Sequence, residues 1–126
     1  MDNNFEETEL LLRAVRPGDM YWKDGHLSSA AFKDKYGLSV NRVYDQKIEE
    51  ALSVMIKKFS GSIVSVSVSD CNTVFACVKY LPSKDNLYHC EIHQSETIKI
   101  LNEYQAKHLA NVAQILYFHS ITSETT

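Results

Sequence analysis

The sequence is short of the residues that break or cross-link a chain. Its 126 residues include only two prolines and four glycines, which leaves room for regular helices and strands. Its three cysteines form an odd set without CxxC spacing, which argues against a disulfide framework and against a structural zinc site. We therefore predict that Cys71, Cys77 and Cys90 are free thiols that pack as small hydrophobic residues.

The sequence also lacks an excess of positive charge and a long apolar run. A net charge of −3 and a pI near 5.9 disfavour a protein that coats duplex nucleic acid, so any nucleic-acid site must be a local patch. No segment approaches the roughly 18 apolar residues of a membrane span. The start, MDNNFEETEL, is acidic where a signal peptide would be basic and then apolar. We expect a cytoplasmic protein without a membrane partner.

The composition is that of one ordinary globular domain. Hydrophobic residues make up 44% of the chain and charged residues 23%, and no repeat or low-complexity linker divides it. A core of this kind forms typically at about 100 to 150 residues. We predict a single α+β domain over residues 1–126, with frayed termini at 1–4 and 120–126.

Two segments have the apolar spacing of amphipathic helices. Asp45 can cap the first, over residues 45–59, where acidic residues lie early and lysines late, in the order that the helix dipole favours. Ser95 can cap the second, over about residues 96–118, although Gln105 interrupts its apolar stripe. The sequence predicts that both helices cover one face of a sheet.

The sheet is predicted between these helices. Valine and serine alternate from Val64 to Ser69, and two further apolar segments, 74–81 and 87–93, follow turn signals. We interpret residues 63–93 as a three-stranded antiparallel meander. The stretch from Pro17 to Arg42 has turn signals and little regularity, which is typical of a functional segment.

The last strand of the meander, YHCEIH, supplies the candidate catalytic residues. On an extended chain His89, Glu91 and His93 share one face, and two imidazoles with a carboxylate can act as acid, base and orienting group. Their spacing of about 6.6 Å along a strand suits a row facing a substrate better than a tight metal chelate, so we assign no metal ligand and keep a metal-bound form of this row as a third hypothesis. The alternative is a solvated outer face of the sheet.

The candidate ligand-binding residues come from the irregular N-terminal segment and its flanks. An arginine inside the apolar run LLLRAV must reach outward or find a partner, and arginine offers a planar fork for phosphate or carboxylate. Serine hydroxyls can position a ligand, and an aromatic pair can form a stacking surface. The alternatives are a helix cap for the serines, a solvated strand position for the arginine and a core position for the tryptophan. The set comprises Trp22, His26, Ser28, Ser29, Arg13 and Arg42.

Three N-terminal motifs resemble a known group of proteins. LLRAVRP (11–17), DGHLSSAAF (24–32) and LSVNR (38–42) are similar to segments of small uncharacterised bacterial and phage-encoded proteins with LxRxVxP, GxxSSxAF and LSVxR series. The resemblance covers about the first third of the chain. It implies a prokaryotic or phage context without an assigned activity.

A second resemblance concerns the order of three polar residues. Arg13, Ser28 or Ser29, and Glu91 follow one another as in ADP-ribosyltransferases of the Arg-Ser-Glu type, which hold and activate NAD with such residues. Leu27-Ser28-Ser29 stands where that family has Ser-Thr-Ser. The resemblance implies a small enzyme that processes a nucleotide or NAD.

Two functional hypotheses follow from the sequence. The first is a small binding or accessory protein that acts through protein contacts, or through a small polar ligand held between the 17–42 segment and the open sheet face. The second is the small enzyme acting on a nucleotide or NAD, with Glu91 and a neighbouring histidine as acid and base. The cofactor is left open, and a homodimer is a further hypothesis.

Overall fold

The fold is built on a six-stranded antiparallel sheet, as seen in a computed structural model that describes residues 3–119. The strands are β1 Leu10–Val15, β2 Trp22–Lys23, β3 His26–Leu27, β4 Leu38–Arg42, β5 Ser62–Ser67, β6 Cys77–Tyr80, β7 His89–His93 and β8 Gln114–Tyr117. The helices are a 3-10 helix Ser29–Phe32, α1 Ile48–Lys58, α2 Val68–Thr73 and α3 Glu103–Val112. The sheet order is β6-β7-β4-β1-β5-β8, and β2 and β3 form a separate hairpin. The predicted α+β class is confirmed.

The helices pack on opposite faces of the sheet. Leu12 of β1 belongs to a buried cluster with Met55 of α1, whereas its neighbour Leu11 belongs to a second cluster with Leu109 of α3. Successive side chains of a strand point to opposite faces, so two adjacent leucines supply two cores. The prediction that both helices cover one face is wrong.

The first predicted helix is present but starts later than the sequence indicated. α1 begins at Ile48 after an N-cap at Lys47, and Asp45 does not cap it. Tyr44 has a φ of 54°, so the chain turns before the helix can start, and the Asp45 carboxylate accepts a hydrogen bond from the Tyr88 hydroxyl instead. Lysines occupy the last turn as predicted, at Lys57 and Lys58.

The second predicted helix is too long at both ends. α3 begins after Asn102, which forms a capping box with Gln105, so the residue that seemed to interrupt the stripe is part of the cap. Ser95 caps no helix, because its hydroxyl instead accepts hydrogen bonds within a turn. After Val112 the chain becomes β8, which pairs with β5. Pairing with a distant strand thus overrides the local apolar spacing.

The predicted meander is only partly formed. β6 and β7 pair as consecutive antiparallel strands, but β5 pairs with β1 and β8 and makes no pair with β6. The residues predicted as the first turn, 70–73, belong to α2, whose N-cap Ser67 forms a capping box with Asp70. Two strands from the N-terminal part of the chain separate β5 from β7. β4 pairs with β7, and β1 lies between β4 and β5.

The three cysteines are free. Cys71 and Cys90 are buried and Cys77 is half-buried, and burial raises the pKa of both Cys71 and Cys90 to about 12. These two thiols are therefore protonated core residues. Within residues 3–119, no helix has the length and apolar character needed to cross a lipid bilayer. The predicted frayed residues 1–2 and 120–126 lie outside the described part of the chain.

The centre of the sheet contains an opening between β1 and β4. Ladder pairs join these strands only at Leu11 with Arg42 and at Leu12 with Asn41, although β1 continues to Val15 and β4 starts at Leu38. The part of β1 after Leu12 and the part of β4 before Asn41 therefore form no ladder pairs with each other. This opening positions the candidate site.

Candidate functional site

A cleft of about 800 Å³ lies at the opening between β1 and β4. Its walls come from the ends of β1 and α1, from β4, from the loop around residues 83–86 and from the first residue of β7. The volume falls in the range of roughly 300 to 1,000 Å³ that is usual for small-molecule sites. Four cations and two carboxylates line it, so its charge is positive in a protein with a net charge of −3. These residues are Arg13, Arg16, Lys33, Lys58, Asp34 and Asp85.

Arg13 bridges the opening with its guanidinium group. Its Nε donates a hydrogen bond to the Ala31 carbonyl at 3.1 Å, and one Nη donates to the Ser39 carbonyl at 3.0 Å. Within residues 3–119 no carboxylate forms an ion pair with it, and its other Nη has no hydrogen-bond partner. Burial lowers the pKa of Arg13, and the charge of Asp34 opposes this shift. The guanidinium remains a cation whose charge is only partly compensated.

The opposite wall of the cleft consists of amides and a lysine. Asn86 donates its side-chain amide to Oδ1 of Asn41 at 2.8 Å, which fixes the orientation of both side chains. Lys58, in the last turn of α1, donates to the Asp85 carbonyl at 3.3 Å and links the helix to this loop. A side-chain amide carries two N–H groups, so Asn41 retains donors that can serve a ligand.

His89, Glu91 and His93 form a hydrogen-bonded row on β7. Nε2 of His93 lies 2.8 Å from Oε1 of Glu91, and Nε2 of His89 lies 3.4 Å from Oε2. Partial burial alone would raise the pKa of Glu91, but the hydrogen bonds from His93 and His89 hold it below its ordinary value. An ionised carboxylate only accepts hydrogen bonds, so both histidines present Nε2–H to Glu91.

Gly37 covers the inner end of this row. Its φ is +105°, and a Cβ at this position would overlap Oε1 of Glu91 and lie 2.9 Å from Nε2 of His93. Only glycine allows the backbone to approach so closely. The row is therefore not a freely solvated strip: His93 is buried, Glu91 is half-buried, and His89 alone of the three lines the cleft.

The other predicted ligand-binding residues do not line the cleft. Ser28 donates to the Met20 carbonyl, and Ser29 donates to Glu103, which also pairs with Lys33. Trp22 donates to the Arg16 carbonyl at 3.0 Å, and His26 is exposed on the β2–β3 hairpin. Of the predicted site residues, the structure brings only Arg13 and His89 together at the cleft, and it does not bring the two serines to Arg13.

Arg42 lies in a closed environment away from the cleft. Its guanidinium donates to both carboxylate oxygens of Glu9, at 2.7 and 2.9 Å, and lies 4.3 Å from the ring centre of Phe5 and 4.4 Å from that of Tyr44. Burial alone would lower its pKa, but pairing with Glu9 raises it. With 0% of its surface exposed, Arg42 has the environment of a structural residue rather than a ligand-binding one.

Sequence reasoning missed three contributors to the site. Lys58 was explained by the helix dipole alone, and Asn41 lay in a predicted irregular segment without a distinctive motif. Gly37 did carry a signal, because Tyr36-Gly37 indicates a turn with a left-handed residue. What the sequence could not indicate is that this turn covers β7, since β4 and β7 are far apart in the chain.

Comparison with known proteins assigns neither a family nor a function to this chain. No protein-family model matches the chain. No curated protein and no solved structure is significantly similar to it. Within the described residues, no group of three or more histidines, cysteines and carboxylates could hold a metal ion. The function of the protein is therefore inferred from the cleft itself.

Proposed function

We propose that the protein binds a small phosphate-bearing ligand of about nucleotide size in the cleft between β1 and β4. The observation behind this proposal is Arg13, a partly buried cation with no ion-pair partner among the described residues and an unused Nη beside the cleft. A buried charge without a partner is costly, and an anionic ligand would supply the missing partner.

The remaining lining favours phosphate as the anion. Arg16 and Lys58 add positive charge around the same space, and serine hydroxyls and the Asn41 amide add neutral donors. A phosphate group accepts several hydrogen bonds at once and pairs well with the planar fork of arginine. Tyr21 and Phe59 also line the cleft and supply apolar surface for the rest of such a ligand.

The size and charge of the cleft favour a small ligand over a long polyanion. A net charge of −3 repels an extended nucleic acid, whereas the positive lining attracts a single anion locally. This proposal keeps the small polar ligand of the first sequence hypothesis. The cytoplasmic location, the bacterial or phage context, protein contacts and a homodimer stay predictions from the sequence.

Calorimetric titration with uridine monophosphate tests the proposal, with two adjacent lysines as a matched pair. Lys58→Gln and Lys57→Gln remove the same charge from the same helix, but only Lys58 lines the cleft. We expect Lys58→Gln to weaken binding about fivefold, roughly 1 kcal/mol for one exposed charge, and Lys57→Gln to leave it unchanged.

Two results would contradict the proposal. Wild-type protein that binds neither uridine monophosphate nor pyrophosphate at millimolar concentration would exclude a phosphate site of useful affinity. Equal weakening by both lysine variants would show that binding responds to overall charge and not to this cleft.

A further inference from the structure

His89 has the features of a general base held by a carboxylate. Its Nε2 faces Glu91, so its Nδ1 carries the free electron pair. Within residues 3–119 no hydrogen bond engages that Nδ1, and the residue lines the cleft. A carboxylate that fixes the tautomer and orientation of an imidazole is a recurring arrangement in acid–base catalysis.

His89 lines the same cleft as Arg13, although the two residues come from strands that β4 separates. Arg13 bonds the Ser39 carbonyl, and Ser39 pairs with Glu91 across the β4–β7 ladder. Asn41 pairs with His89 in the same ladder. The cation, the amide and the imidazole therefore come from three adjacent strands, β1, β4 and β7, and all line one cleft.

We propose that the cleft cleaves a ribonucleotide phosphodiester, with His89 as the general base. This inference rests on the proposed function, because it requires the phosphate to bind at Arg13. A ribose carries its own nucleophile, the 2′-hydroxyl next to the phosphate. The reaction then needs a base for that hydroxyl and positive charge near the phosphorus, which His89 and Arg13 supply.

The step conserves atoms and charge. Nδ1 of His89 takes the proton of the 2′-hydroxyl, and the 2′-oxygen forms a bond to phosphorus. The bond from phosphorus to the 5′-oxygen breaks, and the leaving oxygen takes a proton from water in the open cleft. The products are a 2′,3′-cyclic phosphate and a free 5′-hydroxyl, and His89 returns its proton to solvent.

Glu91 and His93 are positioning residues in this proposal. Glu91 fixes His89, and His93 fixes Glu91 from the buried side, where Gly37 leaves no room for another side chain. The row thus has one accessible end, His89, and one closed end, His93. A general base needs one side open to the substrate and another side held rigidly by neighbouring residues, and this row has both.

The test uses uridylyl-(3′→5′)-adenosine and its 2′-deoxy analogue with the full chain. We expect wild-type protein to release adenosine and uridine 2′,3′-cyclic phosphate from the ribonucleotide, while the deoxy analogue binds without being cut. His89→Gln should lower kcat by about 10²- to 10⁴-fold, and His26→Gln, a histidine outside the cleft, should not change it. Glu91→Gln should lower kcat per folded molecule, with the folded fraction of each variant taken from its circular dichroism spectrum, and Glu91→Asp, which keeps the carboxylate, should recover part of the rate.

The outcomes separate this inference from the proposed function. Binding of the deoxy analogue without any cleavage of the ribonucleotide would overturn the catalytic inference and leave the binding proposal standing. Cleavage at the same rate by His89→Gln would also overturn it. Failure of both dinucleotides to bind, with uridine monophosphate still bound, would also overturn the catalytic inference alone. Failure of uridine monophosphate to bind as well would overturn the proposed function itself.

Discussion

One arginine lies within the β1–β4 pairing and another lies just beyond it, and the two arginines have opposite environments. Arg42 lies opposite Leu11, is wholly buried, and is held by both oxygens of Glu9 between aromatic rings. Arg13, two residues further along β1, lies where the strands part and bonds only backbone carbonyls of Ala31 and Ser39. One cation is neutralised by the protein, and the other is not.

This contrast shows how one residue type can serve stability or binding. A buried ion pair that is satisfied contributes to one defined structure, and loss of either partner is costly. A cation left without a carboxylate at the edge of a cleft keeps its capacity for an external anion. Four measurements, in decreasing order of the change in stability that we expect, test whether the two environments differ in this way.

The stability of the fold should be more sensitive to mutation of Arg42 than to mutation of Arg13. Arg42→Met leaves the Glu9 carboxylate buried without its partner, and we expect a loss of about 3–5 kcal/mol in the free energy of unfolding, measured by urea denaturation. The double variant Arg42→Met/Glu9→Leu should recover most of this loss, because no charge is then left unpaired. A loss below about 1 kcal/mol in the single variant would contradict a structural role for Arg42.

We expect the second largest loss of stability at Gly37, which covers the row formed by His89, Glu91 and His93. Gly37→Ala forces a positive φ on a side chain and overlaps Glu91, so we expect a loss of roughly 3 kcal/mol in unfolding free energy. Gly25→Ala is the matched control, since it has a positive φ but nothing within 4 Å, and it should lose only about 1 kcal/mol. Equal losses of unfolding free energy in the two variants would mean that the Gly37 backbone is not packed closely against Glu91 and His93.

Arg13 should matter less for stability than Arg42 and more for binding. Arg13→Gln removes two hydrogen bonds to carbonyls, and we expect a loss of about 1–2 kcal/mol in unfolding free energy. The same variant should weaken uridine monophosphate binding by about tenfold or more, because it removes the cation that β1 places at the opening. Arg13→Lys, which keeps the charge without the fork, should bind with intermediate affinity.

The smallest effect concerns acid stability at Glu91. Its pKa in the folded protein lies below its ordinary value of 4.5, so the pairing with the histidines stabilises the fold above that pH. As the pH falls through the lowered pKa, Glu91 is protonated and this contribution is lost. Stability measured against pH should therefore be flatter below about 4.5 in Glu91→Gln than in wild type, and parallel curves would contradict the pairing.

Local patterns predicted the parts of the fold that depend on neighbours in the chain. The stripe from Ile48 to Lys58 and the β6–β7 hairpin need only residues close in sequence, and both are present. The errors arose where distant pairing decides. Gln114–Tyr117 has helix-like apolar spacing but forms a strand because the edge of β5 is open to it.

The candidate site shows the same division. Alternation along β7 correctly separated His89 and Glu91 from the buried Cys90 and Ile92. An arginine inside an apolar run correctly marked Arg13 as unusual. The sequence could not indicate that β1, β4 and β7 lie side by side, so it grouped Arg13 with Ser28 and Ser29, which are engaged elsewhere.

The most direct test of the contrast follows both arginines in one titration. The Nε–H groups of Arg13 and Arg42 are both hydrogen-bonded, which favours their detection by NMR. On addition of uridine monophosphate, the Arg13 Nε–H and His89 ring signals should shift saturably, while the Arg42 Nε–H signal stays in place. Shifts at Arg42 without shifts at Arg13, or no saturable shift at either, would contradict the assignment of the cleft as the binding site.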